Sequence, residues 1–82
     1  MRKIPTSLDQ LANRQRAVIS GFLAAHGGLT QKLREIGFAE GDEVEILHRG
    51  LIGGSPLSVR LNRCIIALRK TEASQIQVVC VS

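Results

Sequence analysis

The sequence has no tryptophan and no tyrosine, and only two phenylalanines, Phe22 and Phe38, among its 82 residues. That shortage argues against two common uses of a small β domain. A groove that grips polyproline is lined with aromatic rings, and single-stranded nucleic acid is held by stacking bases on such rings. Cysteine is equally scarce: Cys64 and Cys80 are too few for the disulfide framework of a small secreted scaffold. Both are read as reduced, and Cys80, which continues the alternation of Ile76 and Val78, as a small core hydrophobe. Long apolar runs are missing too. Stretches such as Cys64 to Leu68 cover five residues, where a membrane-spanning helix needs roughly 20. Met1-Arg2-Lys3 is basic, as at the start of a secretory signal, but Ile4-Pro5-Thr6-Ser7-Leu8-Asp9-Gln10 stands where an apolar segment would be required. The expectation is a soluble, cytoplasmic protein with no direct membrane insertion.

Residues for metal and catalytic chemistry are thin as well. His26, His48, Cys64 and Cys80 stand far apart, without a close Cys/His pair or a Glu-x-x-His helix motif. Glu40, Asp42, Glu43 and Glu45 form the one carboxylate concentration. On an alternating strand Glu43 and Glu45 share the solvent side, so the cluster reads as a solvated or partner-facing patch, with metal binding as the lesser alternative. Neither histidine has a sequence neighbour that would orient it as a base for a nucleophile. Gly53-Gly54-Ser55 is not a phosphate loop, because no Gly-Lys-Ser/Thr ending and no helix follow it. No catalytic residue, metal ligand or cofactor is expected, and the chain reads as a binding module.

What is present points to one folded domain over residues 1–82. Hydrophobic residues make up 44% and charged residues 22%, a mixture too apolar and too balanced for disorder. The net charge of +4 is unevenly spread: residues 1–45 hold six basic and six acidic side chains, residues 46–82 five basic and one acidic. Arg49, Arg60, Arg63, Arg69 and Lys70 offer a positive face to an acidic partner, or are an ordinary solvated surface.

Along the chain, Ser7-Leu8-Asp9-Gln10 has capping-box spacing and predicts one helical turn, with Ser7 as the cap. Asn13-Arg14-Gln15 turns into a strand over residues 16–23, where Gly21 marks a bend or bulge. Leu29, Leu33 and Ile36 fall on one helix face, and Gly37 followed by Phe38 predicts a Schellman-type stop with Phe38 packed on Leu33. Gly41 marks a turn before a strand over residues 43–48, and residues 50–56 read as a loop. Leu57, Val59 and Leu61 point inward from the next strand. Asn62-Arg63 makes a two-residue hairpin to the strand beginning at Cys64, Thr71 to Ser74 forms a capped turn, and residues 76–81 a last strand. The fold class is mainly β: five short strands closed into a small barrel, with one short α-helix and one or two helical turns.

The order of Ser7-Leu8-Asp9-Gln10-Leu11, Gln31-Lys32-Leu33-Arg34-Glu35-Ile36-Gly37-Phe38, Glu40-Gly41-Asp42-Glu43-Val44-Glu45-Ile46, Gly53-Gly54-Ser55-Pro56-Leu57-Ser58-Val59 and Ile66-Ala67-Leu68-Arg69 resembles the FeoA family, the small ferrous iron transport A proteins. The resemblance runs from about Ser7 to Val79 and departs from the family pattern at Ser55 and at Asn62-Arg63. It implies an SH3-like barrel in bacterial cytosol that binds and modulates the membrane ferrous-iron transporter FeoB, whose cytosolic part binds GTP. Similar domains fused to metal-dependent repressors imply the alternative of a regulatory docking module unrelated to transport. A binder of the duplex nucleic-acid backbone, suggested by the basic second half, is a further and weaker alternative, and a nucleic-acid partner is not the leading expectation. The residues expected to meet a partner are Arg49, Leu51, Ile52, Gly53, Gly54, Arg60 and Arg63. Leu51 and Ile52 are bulky apolar residues in a loop: either they fold back over the barrel mouth, or they point outward, where leaving each exposed rather than buried costs about 1.5–3 kcal/mol, which a partner would recover.

Overall fold

The computed structural model describes residues 3–23, 28–50 and 53–81. Six strands, β1 (Lys3–Ser7), β2 (Arg16–Phe22), β3 (Glu43–Gly50), β4 (Gly54–Leu61), β5 (Cys64–Leu68) and β6 (Ile76–Val81), form one antiparallel sheet in the order β1-β6-β2-β3-β4-β5. A single 3-10 turn (Leu8–Gln10) follows β1, helix α1 (Leu29–Ile36) lies between β2 and β3, and the one-turn helix α2 (Lys70–Ala73) precedes β6. The ladder does not close among the described residues: β1 and β5 are its two edges.

The strand absent from the sequence-based count is β1. Its Lys3-Ile4-Pro5-Thr6-Ser7 has no alternation and contains proline, yet it pairs with β6 from Lys3↔Val81 to Ser7↔Gln77. Proline is admissible there because an edge strand leaves one row of backbone groups unpaired. Two further expectations are corrected. Ser7 makes no side-chain cap on the 3-10 turn; its hydroxyl donates instead to the Asp9 carboxylate, which also accepts from Gln10 Nε2 at 3.3 Å. The segment read as a loop over residues 50–56 is already strand from Gly54 onward, with Gly50 opposite Gly54. A Cβ on Gly50 would lie 2.2 Å from the Ser55 carbonyl oxygen, so only glycine admits the two chains at this spacing.

One face of the sheet carries the core. Leu57, Val59 and Leu61 of β4 point inward as their alternation predicts, and Ile76, Val78 and Cys80 of β6 do the same. They meet Ala17 and Ile19 of β2, Val44 and Ile46 of β3, and Leu68 of β5. Leu8, Leu11, Leu33, Phe38 and Ala73, supplied by the 3-10 turn and the two helices, complete the cluster. Burying each large side chain stabilises by roughly 1.5–3 kcal/mol. Helix α1 ends as its sequence predicts: Gly37 has φ 129°, its N–H reaches the Arg34 carbonyl at 3.1 Å, and the Phe38 N–H reaches the Leu33 carbonyl at 3.1 Å. Phe38 is thereby driven into the core beside Leu33. Ile36, expected on the same face as Leu29 and Leu33, is exposed instead, at the last residue of the helix, just before Gly37 turns the chain.

Two bulges change which residues face inward. In β2 the register with β6 slips between Ile19 and Gly21, so Ala17 and Ile19 face the core before the bulge and Phe22 after it. In β3 the register with β4 slips between Ile46 and His48. Without that slip His48 would lie opposite Leu57; with it Arg49 does, and because Leu57 is fully buried the arginine is directed to the core side of the sheet.

Candidate functional site

The bulge in β3 decides what Arg49 does. Its guanidinium is half-buried and Nη2 donates to the Asp9 carbonyl at 3.1 Å and to the Leu11 carbonyl. These are carbonyls at the end of a helical turn, where no intrahelical partner is available. Arg49 therefore fastens the 3-10 turn to the β3–β4 hairpin, and its charge is spent on backbone oxygens.

The other residues expected at a partner surface fall at two ends of β4. Gly53, with φ 60°, and Gly54 sit at the β3–β4 turn; Leu51 and Ile52 lie outside the described residues. Arg60 and Arg63 are exposed at the opposite end, next to and within the β4–β5 turn, where Asn62 takes φ 54°. From Gly54 to Arg60 is roughly 20 Å at the rise of an extended strand, so Gly53-Gly54 and Arg60 with Arg63 are two separate places on the surface.

At the Arg60 end the register lines up Arg16, Glu45, Arg60 and Ile65 across β2, β3, β4 and β5 on the outward face. Arg16 approaches Glu43 at 3.9 Å between exposed side chains, a contact screened by water. Arg60 and Arg63 make no ion pair among the described residues. Ile65 is 66% exposed, more than any other large hydrophobic residue among the described residues. Sequence reasoning did not single it out, because Cys64-Ile65-Ile66-Ala67-Leu68 is apolar throughout and gives no period by which to tell outward from inward.

Two members of the acidic cluster, Glu40 and Glu43, sit in surface pairs. Glu40 accepts both Arg34 guanidinium nitrogens at 2.9 Å, and the same guanidinium lies 4.6 Å above the Phe22 ring. The hydrogen bonds from Arg34 hold the Glu40 carboxyl below its ordinary range, and Glu40 in turn raises Arg34. Glu72 is also lowered, first by the Arg69 backbone N–H, which donates to it at 2.8 Å, and then by Lys32 at 3.2 Å. That pair of contacts caps α2 and ties it to α1. Cys64 is exposed and Cys80 buried, and both are free thiols. Among the described residues no group of three or more His, Cys, Asp or Glu is arranged to hold a metal ion, and no helix is long and apolar enough to cross a membrane.

A six-stranded antiparallel sheet with one apolar face, on which a 3-10 turn and two short helices add their own core side chains, defines the chain as an SH3-like domain. Residues 6–80 match the sequence model of the FeoA domain, and the chain belongs to the FeoA family. Solved structures agree. A Stenotrophomonas maltophilia FeoA complexed with zinc, described as a prokaryotic SH3 domain protein and a candidate ferrous iron transport activating factor, is 33% identical over 89% of this chain and 88% of that one, with a TM-score of 0.77. An iron(II) transport protein A from Clostridium thermocellum is 33% identical over 93% of this chain and 46% of that one, at TM-score 0.83. A FeoA-like protein from Clostridium acetobutylicum, 24% identical over 100% of this chain and 92% of that one, shares the fold at TM-score 0.85. No curated protein matches the chain.

Proposed function

We propose that this chain is a non-catalytic accessory protein of bacterial ferrous iron uptake, acting in the cytoplasm as one domain that binds the membrane transporter FeoB at its GTP-binding cytosolic part. The observation that carries the reading is the FeoA family match across residues 6–80, supported by the 33% identity to a protein described as a candidate transport activating factor. The perturbed titratable groups are consistent with a binding role: Arg34, Glu40 and Glu72 are explained by surface pairs and a helix cap, and none is poised in a cleft for proton transfer. The docking surface is assigned to the β3–β4 turn, with Leu51, Ile52, Gly53 and Gly54, and to Arg60 and Arg63 at the far end of β4.

Titration of the purified chain against the transporter's cytosolic domain, nucleotide-free and loaded with GDP or GTP, tests the reading. Saturable binding in at least one state is expected, and absence of binding in all three overturns it. Comparing Leu51→Asp and Ile52→Asp with Arg60→Glu and Arg63→Glu then shows which end of β4 makes contact. Duplex DNA serves as the competing ligand: affinity falling steeply with salt would favour a backbone binder instead.

A further inference from the structure

The free edge of β5 has the features of a strand-accepting site. The two-residue turn Asn62-Arg63 makes Leu61↔Cys64 the hydrogen-bonded pair that closes the hairpin. Antiparallel pairs alternate in type, so Val59↔Ile66 and Leu57↔Leu68 are also hydrogen-bonded, while Arg60↔Ile65 and Ser58↔Ala67 are not. The N–H and C=O groups of Ile65 and Ala67 therefore point away from β4, and among the described residues no strand lies there to receive them. Both residues have exposed side chains, and that of Ile65 is 66% exposed.

Charge selects the occupant. Arg63 precedes the strand, Arg69 and Lys70 follow it, and Arg60 stands beside Ile65 on the neighbouring strand, all four exposed. The one acidic residue of this half of the chain, Glu72, is engaged by the Arg69 N–H and by Lys32. A second copy of the chain is a poor fit. Antiparallel pairing of two β5 edges through Ile65 and Ala67 centres on Ile66 and sets Arg63 of each copy against Arg69 of the other, a like-charge contact at both ends. An extended segment carrying carboxylates meets the same cations favourably.

We propose that β5 accepts an extended acidic segment of a partner protein by strand addition, with main-chain hydrogen bonds at Ile65 and Ala67, an apolar contact on Ile65, and Arg60, Arg63, Arg69 and Lys70 reading its charge. The proposal stands independently of the iron-uptake reading, because its test uses a peptide alone.

The full-length chain, labelled with 15N, is titrated with a synthetic peptide alternating glutamate and valine, and amide hydrogen exchange is read residue by residue. Exchange at Ile65 and Ala67 slows by about tenfold or more on saturation, while Cys64 and Ile66, already bonded to β4, change little. A peptide alternating lysine and valine leaves both amides unprotected. Ala67→Pro removes one outward N–H at a position where an edge strand tolerates proline, and abolishes the protection at Ile65 as well. Should that variant not fold, Arg63→Glu combined with Arg69→Glu carries the test and weakens the acidic peptide by about tenfold. Unchanged exchange at Ile65 and Ala67, equal binding of the lysine peptide, or binding of duplex DNA in place of the acidic peptide overturns the proposal.

Discussion

Replacing Arg49 by methionine keeps an unbranched apolar stem of similar length and removes the guanidinium. If the arginine serves the fold, the loss is in stability. Two hydrogen bonds from a charged donor, to the Asp9 and Leu11 carbonyls, disappear at a half-buried site. Charge-assisted bonds contribute roughly 1.5–3 kcal/mol each when fully sheltered; partial exposure brings the pair to about 2–3 kcal/mol in total. A domain of this size has about 4–12 kcal/mol to lose, and each kcal/mol moves the melting temperature by about 4–8 °C. Arg49→Met is therefore expected to melt about 8–24 °C lower, with a lower urea midpoint and an unchanged slope. Arg49→Lys, which reaches with one ammonium in place of the guanidinium fork, recovers part of the loss. The exchange rates of amides in the 3-10 turn should rise with the substitution. A variant that melts within a degree or two of wild type but no longer binds the transporter domain would refute the argument and return Arg49 to the docking surface.

Gly50→Ala is expected to destabilise by about 1–3 kcal/mol in urea unfolding, because its Cβ would fall on the Ser55 backbone carbonyl, which is fixed by the β3–β4 ladder. Phe38→Ala should cost about 3–5 kcal/mol, leaving the chain partly unfolded at physiological temperature as judged by loss of amide dispersion in NMR spectra; retention of a sharp melt near the wild-type temperature would show that α1 docks without its stop. Glu72 has a folded pKa below its ordinary 4.5, so the carboxylate's contribution is complete above the unfolded pKa and is lost as pH falls through the folded one. Wild type and Glu72→Gln should therefore differ by about 1 kcal/mol at neutral pH and converge as the pH falls below the ordinary carboxylate range. A difference that persists in acid would place the effect in packing.

Much of the architecture follows from local chemistry in the chain. The inward positions of β4 alternate with polar neighbours, the Gly37-Phe38 stop needs only a residue able to take positive φ followed by an apolar one, and Asn62 meets the demand of a two-residue turn on its own. What could not be read locally depends on a partner strand. Lys3–Ser7 is a strand because β6 offers it an edge, and nothing in its own five residues requires it. Ile65 and Ala67 face outward because Ile66 and Leu68 are held to the core side, a choice hidden inside an unbroken apolar run.

Arg49 shows the division most sharply. By sequence it belongs with Arg60 and Arg63 as a cation beside a glycine-rich turn. The side of a strand on which a residue emerges reverses with each single-residue slip, and the slip in β3 is set by its pairing with β4, so the tertiary structure alone decided that this arginine binds the protein's own backbone. Composition and alternation determined that the chain would be a small β domain without the aromatic residues that peptide and nucleic-acid grooves require. Register, which is a property of two strands and not of one, decided which of its charges and apolar side chains are left for a partner.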